Sequence, residues 1–307
     1  MSGDVPGRLR LGTLGLAVLL GGGLAIVAPV ATGGPLRGDA FAWGVVAVAG
    51  TAALFGYVGS SLPHNRPAGR THDHPVHPDH PAHSDHPDPS VYPDHLDHSD
   101  HPVHPSLGVA NGLTLLRGVL FCAVGGFVVA TPSHGWLPAV LFAVAALLDV
   151  VDGTVARRTR TTELGERLDP AVDALGVLLG AAAAVALDAL PAWYLLAGGL
   201  WFGYIGSLWL RRRRGRAVFE LPPSRLRGPI GAAQMVVIAA ALVPTAPTGA
   251  VTVAAAIALV VLVASFLRDW LAATGRLDRV PPGARRAPVA PTRGTHRDDR
   301  IGALDDD

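Results

Sequence analysis

Residues 147–173 read LLDVVDGTVARRTRTTELGERLDPAVD, a polar segment that lies between two apolar runs. An α-helix turns about 100° per residue, so residues three, four and seven apart share a face. The first run therefore carries Asp149, Asp152, Gly153 and Ala156 on one face, and the second carries Gly165, Asp169 and Asp173. Because the connecting residues 158–164 are few and polar, we expect two antiparallel neighbouring helices whose four carboxylates converge.

The composition predicts a membrane protein. Half of the 307 residues are hydrophobic, and charged residues make up 16%, against about 25% in soluble domains. The net charge is only +1, so the overall charge indicates no nucleic-acid partner.

Eight stretches approach the roughly 20 mostly apolar residues that span a bilayer. They are 11–32, 41–61, 107–130, 137–157, 167–187, 190–210, 229–244 and 250–270. The sequence thus predicts an all-α integral membrane protein, with a six-helix transmembrane bundle preceded by two extra transmembrane helices. Arg8 and Arg10 leave a signal peptide open for the first stretch, but no clear A-x-A site follows it, and we favour an uncleaved helix.

The chain divides into four predicted segments. Residues 62–105 hold eleven of the thirteen histidines, interleaved with Asp and Pro, and this composition is typical of a disordered linker. The segments are an N-terminal helix pair at 1–61, the linker at 62–105, the six-helix domain at 106–275 and a disordered polar tail at 276–307.

Arginine placement predicts the orientation, because short loops rich in arginine stay in the cytoplasm. Arginines occupy the connection between the fourth and fifth spans, the connection between the sixth and seventh spans, and the end of the eighth span. The alternate connections, 131–136, 188–192 and 244–249, contain no arginine. We therefore expect both termini, the linker and the carboxylates to face the cytoplasm.

The converging carboxylates predict a cation site. Like charges repel, and acids at membrane depth cost at least a few kcal/mol each, so divalent cations would stabilise the cluster. Carboxylate oxygens suit Mg²⁺, Mn²⁺ or Ca²⁺, and four of them could hold two ions about 4 Å apart. Gly153 and Ala156 leave room for a substrate, and Arg157 can reach a phosphate. The plainer alternative is that the acids pair with nearby Arg158, Arg160 and Arg167.

The pattern D-x2-D-G-x2-A-R, a short spacer and G-x3-D-x3-D resembles the signature of the CDP-alcohol phosphatidyltransferases. Every defining position of that signature is present, and the resemblance covers residues 106–275. The positions are Asp149, Asp152, Gly153, Ala156, Arg157, Gly165, Asp169 and Asp173.

The resemblance implies transfer of a phosphatidyl-type group from a CDP-linked lipid to a small alcohol, with release of CMP. It implies that the four aspartates bind two divalent cations, Mg²⁺ or Mn²⁺, and that Asp173 is also the general base. It places the nucleotide donor beside the small residues Gly153 and Ala156, the spacer that follows them, and the start of the first helix of the six-helix domain. The donor residues so implied are Gly153, Ala156, Arg157, Thr162, Gly165, Asn111 and Thr114. The resemblance also suggests a homodimer.

Other polar residues leave alternatives open. Arg117 follows Asn111 and Thr114, and it either serves the site or snorkels to the interface. Arginines 211–214 either orient the chain or bind an acceptor phosphate, and residues 222–229 offer a second acceptor site. The candidate acceptor residues are Arg211, Arg225 and Arg227. Many relatives carry Lys after the fourth aspartate, where this chain has Ala174, so the acceptor stays open among glycerol 3-phosphate, inositol phosphate and serine.

A second function fits part of the sequence. A metal-binding or metal-transport membrane protein would use the histidine-rich linker as a cytoplasmic sensor and the aspartates as a transport site. The small residues beside Arg157 favour the nucleotide, because a transport site does not need them. The linker itself is interpreted as a solvated spacer, because its irregular spacing defines no coordination geometry.

Overall fold

The computed structural model describes residues 5–35, 38–66, 103–104, 106–156, 162–219, 221 and 223–277, and only the backbone of 150–156. The described residues form eight α-helices. They are α1 Gly7–Thr32, α2 Asp39–Ser61, α3 Gly108–Gly125, α4 Leu137–Ala156, α5 Glu163–Ala186, α6 Leu195–Arg213, α7 Arg227–Ala241 and α8 Thr248–Ala273. Short 3-10 turns follow α2 and α3 and precede α6. Most of the predicted linker and of the predicted tail lies outside the described residues.

The predicted fold class is confirmed, because each of the eight predicted spans corresponds to one helix. Five of the helices described (α1, α2, α3, α5 and α8) are long and apolar enough to cross a membrane. The apolar part of α4 is shorter and ends at Asp149, α7 has only 15 residues, and α6 ends in three arginines. The chain is an α-helical integral membrane protein.

Helix α3 lies at the centre of the packing and contacts α2, α4 and α5. Glycines allow large side chains to approach: a Cβ at Gly176 would lie 2.5 Å from Phe121, and one at Gly180 would lie 2.3 Å from Phe142. Such small residues are the usual means of close helix packing in membranes. They hold α5 against α3 and α4, the helices that carry the other polar motif residues.

The N-terminal pair is joined to the six-helix domain at both of its ends. At one end, the Ser133 N–H donates to the carbonyl oxygen of Ala31 at 2.8 Å. At the other end, fully buried Asn65 donates through Nδ2 to the Ser106 carbonyl at 2.9 Å. The Arg66 carbonyl also accepts from the N–H of Glu163, the first residue of α5, at 3.0 Å. The end of α2 is therefore fixed beside the start of α5.

Alternate helices run in opposite directions, so the same end of the bundle collects the start of α3, the end of α4 and the start of α5. It also collects the end of α6, the start of α7 and the end of α8. Contacts between these ends show the arrangement: the Phe219 N–H donates to the Ala273 carbonyl at 3.0 Å. We call this the motif end.

Candidate active site

Three of the four predicted carboxylates meet at the motif end. Asp149 lies on α4, and Asp169 and Asp173 lie one turn apart on α5. Each residue offers one carboxylate oxygen, and the three oxygens lie within 4.8 Å of one another. The three side chains are 52%, 50% and 47% exposed, respectively, so the cluster is open on one side.

The remaining residues of the motif's first half lie at the edge of the described structure. Asp152, Gly153 and Ala156 belong to the last two turns of α4, but their side chains are not among those described. Arg157 lies outside the described residues. The place of Asp152 on the Asp149 face stays a prediction from their three-residue spacing.

Arg117 of α3 contacts all three carboxylates. Its Nη1 donates to Oδ1 of Asp149, and its Nη2 donates to Oδ1 of Asp169 at 2.8 Å and to Oδ1 of Asp173 at 2.7 Å. The arginine side chain is only 1% exposed. Its guanidinium therefore points into the protein interior towards the cluster and does not snorkel to the interface.

The position of Arg117 in the sequence indicates a carboxylate partner, but only once the bounds of the helices are known. Arg117 is nine residues after the start of α3, and Asp173 is ten residues after the start of α5. At 1.5 Å per residue, these positions lie about 14 and 15 Å from the same end of the bundle. Opposite charges at equal depth on neighbouring helices indicate an ion pair.

Asn111 and Thr162 join the start of α3 to the start of α5. Thr162 is the N-cap residue of α5, and its Oγ1 accepts from the Gly165 N–H at 3.1 Å, the usual capping bond. The same oxygen accepts from Asn111 Nδ2 at 3.2 Å, and Asn111 Nδ2 also donates to the Leu107 carbonyl at 2.8 Å. Thr114 is buried one turn along α3.

The close approach of α5 to Asn111 requires a glycine at position 165. A Cβ at residue 165 would lie 2.8 Å from Oδ1 of Asn111, closer than side-chain atoms normally approach. Asn111 is 4% exposed and is held by its two bonds, so it has little room to move. The motif glycine thus allows α5 to begin against α3.

The candidate acceptor arginines have separate environments. Arg227 of α7 donates from Nε to Asp269 Oδ2 at 2.7 Å and from Nη2 to Asp269 Oδ1 at 3.1 Å. Arg211 donates to the carbonyl oxygens of Ala217 and Thr274. Arg225 is exposed. All three arginines lie at the motif end, and two of them also brace the ends of α6, α7 and α8.

The carboxylate cluster fits a divalent cation. Among the described residues, Arg117 alone donates to these three carboxylates, so this part of the site carries more negative than positive charge, and the acids are about half exposed. A carboxylate can accept about four hydrogen bonds or ligand contacts, so the bonds to Arg117 leave capacity for ions. The donors are all hard oxygens, which suit Mg²⁺ or Mn²⁺ better than a soft metal.

A model of the CDP-alcohol phosphatidyltransferase family matches residues 107–267, just over half of the chain. The protein belongs to the CDP-alcohol phosphatidyltransferase family. The match confirms the resemblance seen in the motif and contains every predicted site residue, while α1 and α2 lie outside it. A comparison with curated proteins gave no significant match. Membership places the chain among the membrane transferases of phospholipid biosynthesis, which act on a CDP-linked alcohol.

Proposed function

We propose that this transferase moves a phosphatidyl-type group from a CDP-linked lipid to a small alcohol and releases CMP. The observation that carries the proposal is the convergence of Asp149, Asp169 and Asp173 from two helices, with ligand oxygens within 4.8 Å of one another. The convergence occurs inside the family-matched domain, at the end of an apolar bundle. A lipid-linked nucleotide needs such a place, because its tails stay in the bilayer while its charged part stays in water.

Asp149, Asp152, Asp169 and Asp173 are proposed to hold two divalent cations, Mg²⁺ or Mn²⁺. Bound there, the cations would neutralise the charge of the donor pyrophosphate and of the departing CMP. The support is that, among the described residues, three carboxylates face the one guanidinium of Arg117. Asp152 enters this set from its position on α4 and from the family signature.

Asp173 is the proposed general base. Its carboxylate would take the proton of the acceptor hydroxyl as that oxygen forms a bond to the phosphorus carrying the lipid group. The bond between this phosphorus and the bridging oxygen breaks at the same centre, and CMP leaves with that oxygen. Asp173 lies one turn further along α5 than Asp169, and its half-exposed side chain supports access of the acceptor to its carboxylate.

The donor nucleotide is proposed to bind across the starts of α3 and α5 and the end of α4. Gly153, Ala156 and Arg157 would line one side. On the other side, Asn111, Thr162 and Gly165 form the hydrogen-bonded junction described above, with buried Thr114 next to it. Polar side chains kept inside an apolar bundle support a polar ligand at this place.

The site is proposed to face the cytoplasm. The motif end gathers the arginines at 211–214 and at 225 and 227, whereas the connections 131–136, 188–192 and 244–249, at the other end of the six-helix domain, carry none. Arg37, in the connection between α1 and α2, is the one exception to this pattern. This asymmetry follows the positive-inside rule. Both chain termini would then lie in the cytoplasm as well.

The acceptor is proposed to be a small alcohol such as glycerol 3-phosphate, inositol phosphate or serine. Arg211, Arg225 and Arg227 are the candidate contacts for an acceptor phosphate, since guanidinium groups bind phosphate through paired hydrogen bonds. Arg225 is exposed at the motif end, and no ion pair joins it to the described residues. A homodimer stays a prediction.

The test is a CMP-release assay on the purified full-length protein in lipid nanodiscs. The protein receives a CDP-linked lipid, Mg²⁺ or Mn²⁺, and one acceptor at a time from glycerol 3-phosphate, inositol phosphate, inositol, serine and glycerol. We expect CMP to appear with one acceptor class and to disappear when EDTA replaces the cation. CMP release with none of these acceptors would contradict the proposal. In that case, Mn²⁺ uptake by proteoliposomes would favour the metal-transport alternative.

A further inference from the structure

Arg117 is absent from the eight motif positions, yet it makes more contacts with the described carboxylates than any other side chain. We propose that Arg117 is a permanent cation on the buried side of the site. It positions the carboxylates of α4 and α5, and it offsets part of their charge before ions or substrate bind. The inference concerns the ion site of the proposed function, and it assigns Arg117 the role of a positioning residue.

The geometry of the guanidinium supports this role. Nη1 reaches Asp149 on α4, while Nη2 is shared between Asp169 and Asp173 on α5. One planar group therefore fixes the two halves of the motif relative to each other. A lysine ammonium is a compact point charge on a flexible stem, so it would not reproduce this two-sided contact.

The exposure pattern leaves room for bound cations beside Arg117. Arg117 is almost completely buried, whereas the three acids are about half exposed. The guanidinium approaches from the protein interior, and ions would approach from the open side. Each bond to Arg117 uses Oδ1 of a carboxylate, and each carboxylate retains further lone pairs for other ligands.

Arg117 offsets repulsion among the carboxylates of the site. Three described carboxylates at membrane depth repel one another, and Arg117 is the cation in contact with all of them. Only Arg117 is buried in these ion pairs, and its removal leaves the repulsion among the three half-exposed carboxylates uncompensated. Without Arg117, the folded protein should therefore depend on added divalent ions for stability, which a purely structural role would not produce.

The test compares the melting temperature of wild type and Arg117→Gln in nanodiscs, in EDTA and in saturating Mn²⁺. In EDTA we expect the variant to melt roughly 10 °C below wild type, and we expect Mn²⁺ to recover most of this difference. An equal loss in both conditions, or no loss in either, would overturn the inference. Arg10→Gln is the matched control, because Arg10 is exposed on α1; it should change neither melting temperature.

Two further variants keep the test decisive. Arg117→Lys should recover part of the stability lost in EDTA, but its CMP release should stay well below wild type, because an ammonium cannot hold both helices. Full recovery of both quantities would refute the positioning role. If Arg117→Gln does not accumulate, Arg117→Gln/Asp149→Asn should accumulate, because it removes one of the repelling charges. Failure of the double variant even with Mn²⁺ present throughout purification would count against charge compensation.

The outcome separates this inference from the proposed reaction. Melting temperature requires no turnover. If wild type releases no CMP but Arg117→Gln shows the ion-dependent loss, the reaction is wrong and the role of Arg117 stands. If CMP is released and the loss is independent of ions, the reaction stands and the role of Arg117 is wrong.

Discussion

The described residues of the motif end form two arginine–aspartate clusters, which differ in their charge balance. Arg227 faces Asp269 through two hydrogen bonds, Nε to Oδ2 and Nη2 to Oδ1, which is the paired geometry that guanidinium and carboxylate groups favour. Arg117 instead divides its two terminal nitrogens among three carboxylates. Both clusters join neighbouring helices, α7 to α8 in the first case and α3 to α4 and α5 in the second.

The charge balance distinguishes the Arg227–Asp269 pair, which joins α7 to α8, from the carboxylate cluster at Arg117, which is the candidate binding site. Asp269 has an arginine of its own and is mostly buried, so its charge is offset within the fold. Within the part of the chain that the structure describes, Asp149, Asp169 and Asp173 share one guanidinium and remain about half exposed, so that group offsets their charge only in part. An excess of accessible carboxylate charge, and not the presence of aspartate in a membrane helix, is what marks the candidate ion site.

The largest expected effect comes from Asp173→Asn. This change keeps the size of the side chain but removes both the proposed base and one ion ligand. We expect CMP release to fall by roughly 1,000-fold or more, measured on the nanodisc protein with Mn²⁺ and the best acceptor. Binding of the CDP-linked lipid, measured separately, should persist.

Asp188→Asn is the matched control for that change. Asp188 is exposed just beyond the other end of α5, with φ 55°, a conformation that asparagine adopts readily. Its activity should stay within about twofold of wild type. If Asp173→Asn retained a tenth of the wild-type rate, Asp173 would not be the general base.

The eight helices and the meeting of the motif acids could be predicted from the sequence, because both depend on local patterns. Apolar stretches of membrane length gave the spans, and the 3.6-residue period put Asp169 and Asp173 on one face of α5. The short spacer then required α4 and α5 to be neighbours. Such features need only the spacing of residues along one or two adjacent helices.

The contacts of Arg117 could not be predicted in the same way, because its partners lie 32, 52 and 56 residues away in the chain and the equal depths along α3 and α5 require the helix bounds. Hydropathy does not tell an arginine that snorkels from one that turns inwards; the rotation of α3 against α4 and α5 decides it. Arg227 and Asp269, 42 residues apart, had the same difficulty. Asn65, which joins α2 to the start of α3, carried no motif signal at all.

A smaller effect is expected from Gly165→Ala, which tests whether the open cluster depends on close packing at the motif. The new Cβ would meet Oδ1 of Asn111 at 2.8 Å and displace the Asn111–Thr162 junction. We expect CMP release to fall by about tenfold, mainly through a higher KM for the CDP-linked lipid. Gly112→Ala is the control, because a Cβ there meets nothing within 4 Å. Equal activities of the two variants would show that the junction does not shape the donor site.

The smallest effect of added ions is expected for Asp269→Asn. This variant removes a charge from the Arg227–Asp269 pair, as Arg117→Gln does from the carboxylate cluster. Losing a charge-assisted pair should lower the melting temperature by about 5 °C, and the loss should be the same in EDTA and in Mn²⁺. The reason is that Asp269 already has its cation in Arg227, so an added ion gains no site there. A loss that Mn²⁺ reverses would make the second cluster an ion site as well, and charge balance would then fail as the criterion that distinguishes the two.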